Sequence, residues 1–369
     1  MGPVRAVVVG ALVWTSGGCR QLFGLDPPIV AADAPVVDAP IDTAITCYGT
    51  GLVTYCPQLT PTQSVVLSGT LDTDGDPRCV IDKGNCVIAG ASIAIDATFR
   101  AEGARPIVLV AVTTIDITAT LDVGSHREFI GFAPVDHVGA GEGSGTCGSA
   151  TPATNDASVG AGGGAGGSFG GRGGGGGAGG SGAPGGTSAA TIAPGVFRGG
   201  CPGSRGGDAG SVKGGIGAHG GGAVYLIAGT QITVSATGAI NAGGEGGYPG
   251  TSMSGGGGAG SGGFIGLDAP SVMNAGAIYA NGGGGGEGGG ASAPGDYGAS
   301  SQSPDQAAGG GNINANAGNG GAGSFKTMLD GGAGGVDTYA GGGGGGGAGI
   351  IQLFQASSVA GIVMPPPIF

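Results

Sequence analysis

A pattern of alternating apolar and polar positions recurs four times along the chain. Each copy opens with a β-branched residue, a leucine and a small or polar residue at every second position, and then reaches another alternating run. A period of two residues predicts strands with one buried face. The copies open at Ile107-x-Leu109-x-Ala111, Val224-x-Leu226-x-Ala228, Ile265-x-Leu267-x-Ala269 and Ile351-x-Leu353-x-Gln355, and their second runs end at Leu121, Ile240, Ile278 and Ile362.

Glycine-rich tracts separate the four copies and set the predicted architecture. They cover residues 139–222, 243–263 and 282–349. Similar strands with long insertions between them predict an all-β fold, a parallel β-solenoid whose rungs stack while the insertions leave from one corner. An antiparallel β-sandwich is the alternative. Residues 64–101 contain further short strands and are predicted to form the first rungs.

The glycine content decides how these tracts are interpreted. Of 369 residues, 96 are glycine and only 10% are charged, although 40% are hydrophobic. Glycine loses much backbone entropy on folding, so mobile surface loops are one interpretation. Extended polyglycine strands, packed side by side through backbone hydrogen bonds, are the other. Isolated aromatic residues favour partly ordered lobes beside the solenoid, and these are Phe169, Tyr248, Tyr297 and Tyr339.

The N-terminus has the pattern of an export signal. A short basic start precedes an apolar run over residues 6–14, and "TSGGC" then ends at Cys19. This pattern predicts a signal peptide over residues 1–18 and lipidation of Cys19, although Ser16 departs from the usual apolar residue of a lipobox. A plain cleaved signal with an incidental cysteine is the alternative. The run is too short to span a bilayer as a mature helix.

Three further regions follow the signal. Residues 19–46 are predicted to be a lipid anchor and a spacer rich in Pro, Ala and Asp, which is extended and self-repelling. Residues 47–138 are predicted to contain the N-terminal β rungs with disulfides, and residues 139–369 the glycine-rich β-repeat region. This order predicts a folded body held away from a membrane.

Six cysteines are left when Cys19 is assigned to the lipid. An even number in an exported chain favours disulfides, but six cysteines allow 15 connectivities. Pairing of neighbours in sequence is the simplest choice. A metal cluster is the alternative, weakened by the absence of C-x-x-C and by the distance of the histidines in sequence. The predicted pairs are Cys47 with Cys56, Cys79 with Cys86, and Cys147 with Cys201.

The charge of the chain excludes one class of partner. The formal net charge is −12, and Lys326 is the only basic residue beyond residue 214. A nucleic-acid partner would need a basic face, and this sequence cannot build one.

Two polar stretches are candidate sites. "DTDGDPRC" places Asp72, Asp74 and Asp76 at alternating positions, as calcium loops do, but the order of an EF-hand fails and a polar turn explains the same residues. "SHREF" and "VDH" supply acid–base groups directly after a strand, and a third histidine, His219, lies in "GAHGGG". No nucleophile elbow or H-E-x-x-H accompanies them, so a solvated corner of the solenoid is the favoured interpretation and no catalytic residue is assigned.

The blocks "GGCRQLFGLD", "DAPVVDAPID" and "GARPIVLVAVTTIDITATLDVGSHR" resemble those of glycine-rich surface lipoproteins of myxobacteria. That resemblance implies attachment to the outer membrane through the lipid, with exposure at the cell surface, and it implies no activity. Secretion or a periplasmic location is the alternative.

The predicted function is therefore that of a non-catalytic structural or adhesive surface protein without a cofactor. A polysaccharide-active β-helix enzyme is one alternative. The other is a glycan-binding module that uses residues such as Asn241 and Tyr279 to bind an extracellular partner.

Overall fold

The structure, a computed structural model, describes residues 46–369 apart from residues 131, 132, 144, 145, 157, 181, 314, 315 and 357. The predicted signal peptide, Cys19 and the spacer up to residue 45 lie outside the described residues. Within the described part the regular structure consists of strands. No helix there is long and apolar enough to cross a membrane.

Three sheets contain most of the strands. The first consists of β18 (Ile350–Gln355), β15 (Phe264–Ala269), β12 (Ala223–Ala228), β7 (Ile107–Ala111), β4 (Asn85–Gly90) and β3 (Val80–Asp82). The second consists of β1 (Val65–Val66), β5 (Ile93–Ile95), β8 (Thr114–Ile117), β13 (Gln231–Val234) and β16 (Ser271–Asn274). The third consists of β19 (Ile362–Met364), β17 (Ala277–Tyr279), β14 (Ala239–Asn241), β9 (Thr120–Asp122), β6 (Phe99–Glu102) and β2 (Gly69–Asp72).

The chain visits the three sheets in a fixed order. It passes from the first sheet to the second and then to the third, four times over, as β4–β5–β6, β7–β8–β9, β12–β13–β14 and β15–β16–β17. In the described part of the last pass, the chain goes from β18 to β19 without a named strand in the second sheet. Neighbouring strands of the three sheets are parallel except for β3 and β4. The all-β prediction is confirmed, and the pairing is mostly parallel rather than the antiparallel pairing of a sandwich.

The register joins the repeats at the positions that the sequence pattern aligned. Leu226 pairs with Leu109 and with Leu267, and Leu267 pairs with Leu353. In the third sheet, Ile240 pairs with Ile278, as the sequence pattern aligned them, but Ile278 pairs with Val363. The second run of the last repeat is therefore one residue out of step with the sequence alignment, which ended it at Ile362.

Two apolar cores flank the first sheet. The larger core takes buried side chains from all three sheets, including Leu226, Ile232 and Ile240. The opposite side of the first sheet packs Tyr225 and Phe264 against other apolar groups. Both faces are thus buried, which explains why β7 and β12 are apolar at nearly every position.

The glycine tracts are extended strands joined by backbone hydrogen bonds. The amides of residues 171, 174, 177 and 180 donate to the carbonyls of residues 348, 345, 342 and 339. Positions three residues apart thus face the same neighbouring strand. A repeat of three residues is also the period of a polyproline II helix. Most glycines of these segments are buried. Of the two interpretations of the tracts, packed polyglycine strands are the one that the structure contains, and we call this region the glycine bundle.

At the centre of the glycine bundle, three segments form a closed ring of hydrogen bonds. Residues 161–167 donate to residues 253–259, residues 256–262 donate to residues 341–347, and residues 341–347 donate back to residues 161–167. Each step along the ring uses every third residue. Since one segment comes from each of the three tracts, the ring fixes the insertions to one another.

The structure contains the three disulfides Cys47–Cys56, Cys79–Cys86 and Cys147–Cys201. These are the pairs of sequence neighbours that we expected. The third closes a loop with a sequence separation of 54 residues, which includes the first part of the glycine bundle.

Candidate functional site

An antiparallel hairpin carries the acid–base residues that the sequence analysis singled out. It consists of β10 (His126–Ile130) and β11 (Ala133–His137), and its register places His126 opposite His137 and Arg127 opposite Asp136. Because successive side chains of a strand point to opposite faces, the two pairs lie on opposite faces of the hairpin. The hairpin therefore contributes to two separate clusters of charged groups.

The histidine cluster consists of His126, Glu128 and His137. The two imidazole rings stack with their centroids 5.1 Å apart. Glu128 reaches both rings, with its Oε1 3.3 Å from Nε2 of His126 and its Oε2 3.5 Å from Nε2 of His137. Nδ1 of His137 lies 2.9 Å from Oε1 of Glu102 on β6. The three residues of the cluster thus bring two imidazoles and a carboxylate together at one end of the hairpin.

Arg100, also on β6, lies against the buried end of the histidine cluster. Its guanidinium contacts both ring nitrogens of His126, at 2.6 and 3.0 Å, and forms an ion pair with Asp122. Burial, followed by the charge of Arg100, lowers the pKa of His126. The hydrogen bond with His126 and the charge of His137 lower the pKa of Glu128. A neutral imidazole and an ionised carboxylate are the forms that these shifts favour near neutral pH.

The arginine cluster lies on the other face of the hairpin and consists of Arg127, Asp136, His219 and Glu245. The side chain of Arg127 is 2% exposed, and it donates to Oε1 of Glu245 at 2.5 Å and to Oδ1 of Asp136 at 3.2 Å. Its guanidinium lies 3.8 Å from the centroid of the Tyr248 ring and 4.9 Å from that of Tyr297. The expectation of a solvated corner is wrong for Arg127, because Asp136 of the hairpin and a carboxylate and two aromatic rings of the glycine bundle cover it.

The arginine cluster connects all three glycine tracts to the hairpin. His219 comes from the first tract, Glu245 and Tyr248 from the second, and Tyr297 from the third. The ring of Tyr297 also packs against that of Phe129 of β10 in a T-shaped arrangement. Tyr248 and Tyr297 therefore hold the lobes against the strands, as the isolated aromatic residues led us to expect.

Two carboxylates share one guanidinium in this cluster, and their pKa values diverge. Burial raises the pKa of Glu245 to about 7, against the attraction of Arg127. Burial also acts to raise the pKa of Asp136, but hydrogen bonds with Glu245 and Tyr248 and the charge of Arg127 outweigh it and lower that pKa. The hydrogen bond with Glu142 raises the pKa of His219, despite the opposing effect of burial. Because Glu245 is completely buried, the cluster can store a proton but cannot present this acid to a substrate.

The contribution of Glu245 and His219 to the melting temperature is expected to fall as the pH rises from about 5 to about 8, while His126, with its lowered pKa, acts in the opposite direction below its ordinary pKa. Glu245 and His219 both have raised pKa values in the folded state, so their contribution is present at low pH and is lost as the pH passes through those values. For Glu245, a rise from 4.5 to about 7 corresponds to roughly 3 kcal/mol of unfolding free energy. Glu245→Gln should flatten the profile measured by calorimetry. An equal slope in this variant would contradict the assignment.

The aspartates of the calcium candidate lie in a turn and contact arginines and amides. Asp76 pairs with Arg78 at 2.8 Å, and Asp74 pairs with Arg105 at 2.6 Å. Asp72 accepts from the amide of Asp74. These contacts suit the favoured interpretation, in which the carboxylates order a turn, and calcium binding stays the alternative.

The two residues suggested for glycan binding are not available at the surface. Asn241 and Tyr279 are each 4% exposed. Asn241 donates to Asp122 and accepts from the amide of Gly243, and the Tyr279 hydroxyl donates to the carbonyl of Gln302. The expectation that they face solvent is wrong, because the hairpin and the glycine bundle cover this side of the third sheet.

A buried aspartate that the sequence analysis missed fixes the first described segment. Asp268 on β15 is fully buried and accepts from the amides of Thr50 and Gly51 and from the Thr50 hydroxyl. It also accepts from Gln355 and Tyr225. With every oxygen engaged, Asp268 serves packing rather than chemistry.

Comparisons with family models, with curated proteins and with solved structures find no match. The resemblance to surface lipoproteins of myxobacteria therefore stays a prediction. What the geometry defines is an all-β protein of mostly parallel sheets, with a glycine bundle at its side and two charged clusters at one hairpin.

Proposed function

We propose that this protein is a structural or adhesive β-solenoid that a lipid on Cys19 anchors at the outer surface of a bacterial cell. The solenoid is supported by the fixed passage through three sheets and by the register that stacks Leu109, Leu226 and Leu267. Each pass would be one rung, and the glycine tracts would be insertions between rungs. Export is supported by the disulfides, which persist in oxidising compartments.

The glycine bundle is the observation that carries a structural function. Insertions between strands are where a scaffold protein places the side chains of a binding or catalytic site. Here the insertions consist largely of buried glycine whose amides and carbonyls bond to one another. This part of the chain therefore builds a rigid layer, and it adds few chemical groups to the surface.

The outward side of the second sheet is the surface that we propose for adhesion. The middle strands of the first sheet are buried on both sides, and Glu102 and Tyr279 of the third sheet contact the hairpin and the glycine bundle. On the second sheet, Asp116, Thr233 and Met273 lie in one column, and Asp116 and Met273 are exposed. Small polar side chains stand beside them in a second column of Thr114, Gln231 and Ser271. A flat surface of this composition suits many weak contacts with an extracellular glycan or a neighbouring cell.

Adhesion and anchoring are tested together in a bacterial host that expresses the full chain. We expect the wild type to incorporate labelled fatty acid, to be removed from intact cells by protease and to increase attachment of cells to a glycan-coated surface. Cys19→Ala should abolish all three. Met273→Glu should reduce attachment at least about fivefold, since the introduced carboxylate must be desolvated in the contact. Met328→Glu is the matched control, because Met328 is also exposed but lies in the glycine bundle.

Two results would overturn the proposal. Equal attachment of Met273→Glu and wild-type cells would remove the second sheet as the adhesive surface. Release of sugar products from a polysaccharide by the exported Cys19→Ala chain would favour the alternative, a polysaccharide-active enzyme.

A further inference from the structure

We infer that the histidine cluster of His126, Glu128 and His137 binds a divalent transition-metal ion of the zinc type. Two imidazoles and one carboxylate are a ligand set that zinc uses where its fourth position stays open to water or to another molecule. One ligand atom from each of the three residues lies within 4.8 Å of the other two.

The spacing between the Glu128 carboxylate and each imidazole fits the size of the ion. Bonds from zinc to nitrogen or oxygen are about 2.0 Å long, so neighbouring ligand atoms of a tetrahedral site lie roughly 3.3 Å apart. The structure places Oε1 of Glu128 3.3 Å from Nε2 of His126, and its Oε2 3.5 Å from Nε2 of His137. Small rotations of the two stacked rings would bring both Nε2 atoms to the ion.

Glu102 provides the outer contact that a ligating histidine needs. Ligating histidines usually donate the other ring N–H to a carboxylate, which fixes the tautomer and strengthens the ligand. Nδ1 of His137 lies 2.9 Å from Oε1 of Glu102, so this contact leaves Nε2 of His137 with its lone pair free. The arrangement favours ligation by His137 before any ion arrives.

The charges around the cluster suit a divalent cation. Glu102, Glu128 and Asp122 surround it, and among the residues that the structure describes Arg100 is the guanidinium that contacts it. With neutral histidines these four groups sum to two negative charges, which a divalent ion compensates. Arg100 must release Nε2 of His126, and its ion pairs with Asp122 and Glu102 provide partners when it does so. Glu128, with a side chain that is 57% exposed, gives the ion a route from solvent.

The arginine cluster is a poorer candidate, although Asp136, His219 and Glu245 also bring ligand atoms together. Arg127 already donates to both carboxylates, and its guanidinium is enclosed by two tyrosine rings. A cation would have to displace a buried arginine that has no other carboxylate partner among the described residues. In the histidine cluster, Arg100 only has to release His126, and it keeps Asp122 and Glu102 as carboxylate partners.

The test uses the full chain carrying Cys19→Ala, whose six other cysteines form disulfides, so that no thiol competes for the metal. We expect one Co²⁺ per chain with visible absorption bands, displaced by Zn²⁺, and Cu²⁺ resonance spectra with hyperfine splitting from two imidazole nitrogens. Glu102→Gln should weaken metal binding about tenfold or more, as outer contacts do, and His137→Gln should weaken it further. Arg100→Gln should strengthen it.

His219→Gln is the matched control, because it removes the third histidine of the chain and leaves the histidine cluster intact. Circular dichroism confirms that each variant is folded before titration. The proposal is overturned if the wild type shows no Co²⁺ absorption bands, if its Cu²⁺ spectra show one imidazole nitrogen or none, or if His219→Gln weakens binding as much as His137→Gln. Equal binding by all variants would mean that scattered surface carboxylates hold the metal.

Discussion

Gly174→Ala is expected to destabilise the protein by about 3 kcal/mol or more, whereas Gly175→Ala, one residue further on, is expected to be neutral or slightly stabilising. A Cβ atom on Gly174 would lie 1.9 Å from the carbonyl oxygen of Gly332. On Gly175 the nearest atom is the carbonyl oxygen of Gly186 at 3.5 Å, which is an ordinary contact. Two identical chemical changes on adjacent residues thus differ only in the space that the glycine bundle leaves.

The cost at Gly174 is large because the obstacle is backbone. A flexible side chain could rotate away, but Gly332 is held by its own amide, which donates to the carbonyl of Ala322. The amide of Gly174 is held in the same way by the carbonyl of Gly345. Making room for a methyl group therefore means separating strands that are hydrogen-bonded on several sides. Rigid packing of this kind transmits the strain instead of absorbing it.

At Gly175 the alanine substitution is expected to raise the free energy of unfolding slightly instead of lowering it. Alanine restricts the unfolded chain more than glycine does, which stabilises a compatible site by about 0.5 kcal/mol. Denaturant midpoints at constant m-value measure both effects. If both variants unfolded at the same denaturant concentration, the glycine bundle would not be a packed region.

Removal of the Cys147–Cys201 disulfide is expected to cost about 4 kcal/mol, the value that the chain-entropy relation gives for a loop of this length. Its sequence separation is 54 residues, compared with 7 for Cys79–Cys86. The same relation gives about 2.5 kcal/mol for the short loop, so the paired Cys79→Ala/Cys86→Ala variant is the matched control. The larger loss for the long loop reflects the entropy that the unfolded glycine-rich chain regains.

The long disulfide also has a partner in the folded state. The buried guanidinium of Arg198 lies 2.9 Å from Sγ of Cys147 and 3.4 Å from Sγ of Cys201. Burial lowers the pKa of Arg198, which shows that its surroundings disfavour the charge. Cys147→Ala/Cys201→Ala leaves that charge with fewer contacts, which adds to the entropic loss. Equal unfolding midpoints for the two double variants would refute the loop-length argument.

The strand part of this fold could be predicted from the sequence because apolar side chains mark both the period and the phase. Leu109, Leu226 and Leu267 occupy the same place in each repeat, and the structure pairs them in register. The slip lies at the end of the last pass, which has no named strand in the second sheet among the described residues. There the Asn274 side chain donates to the carbonyls of Ala360 and Ile362, and Val363 then pairs with Ile278.

The arrangement of the glycine bundle could not be predicted in the same way. A glycine has no side chain to distinguish one neighbour from another, so the sequence does not indicate which tract lies beside which. The residues that contact the hairpin could not be predicted either, because Glu245 and His219 come from separate tracts. One signal was present: a single carboxylate in "AGGEGGYPG" must find a counter-charge if it is buried, and Arg127 supplies it.

The ring of three glycine segments restricts how this gene can change length. Each segment contacts a given neighbour at every third residue, so one added residue would rotate all later amides by a third of a turn and point them at the wrong strand. An addition or loss of three residues restores every direction. Insertions and deletions within these tracts are therefore expected to persist when their length is a multiple of nine nucleotides, which corresponds to three codons.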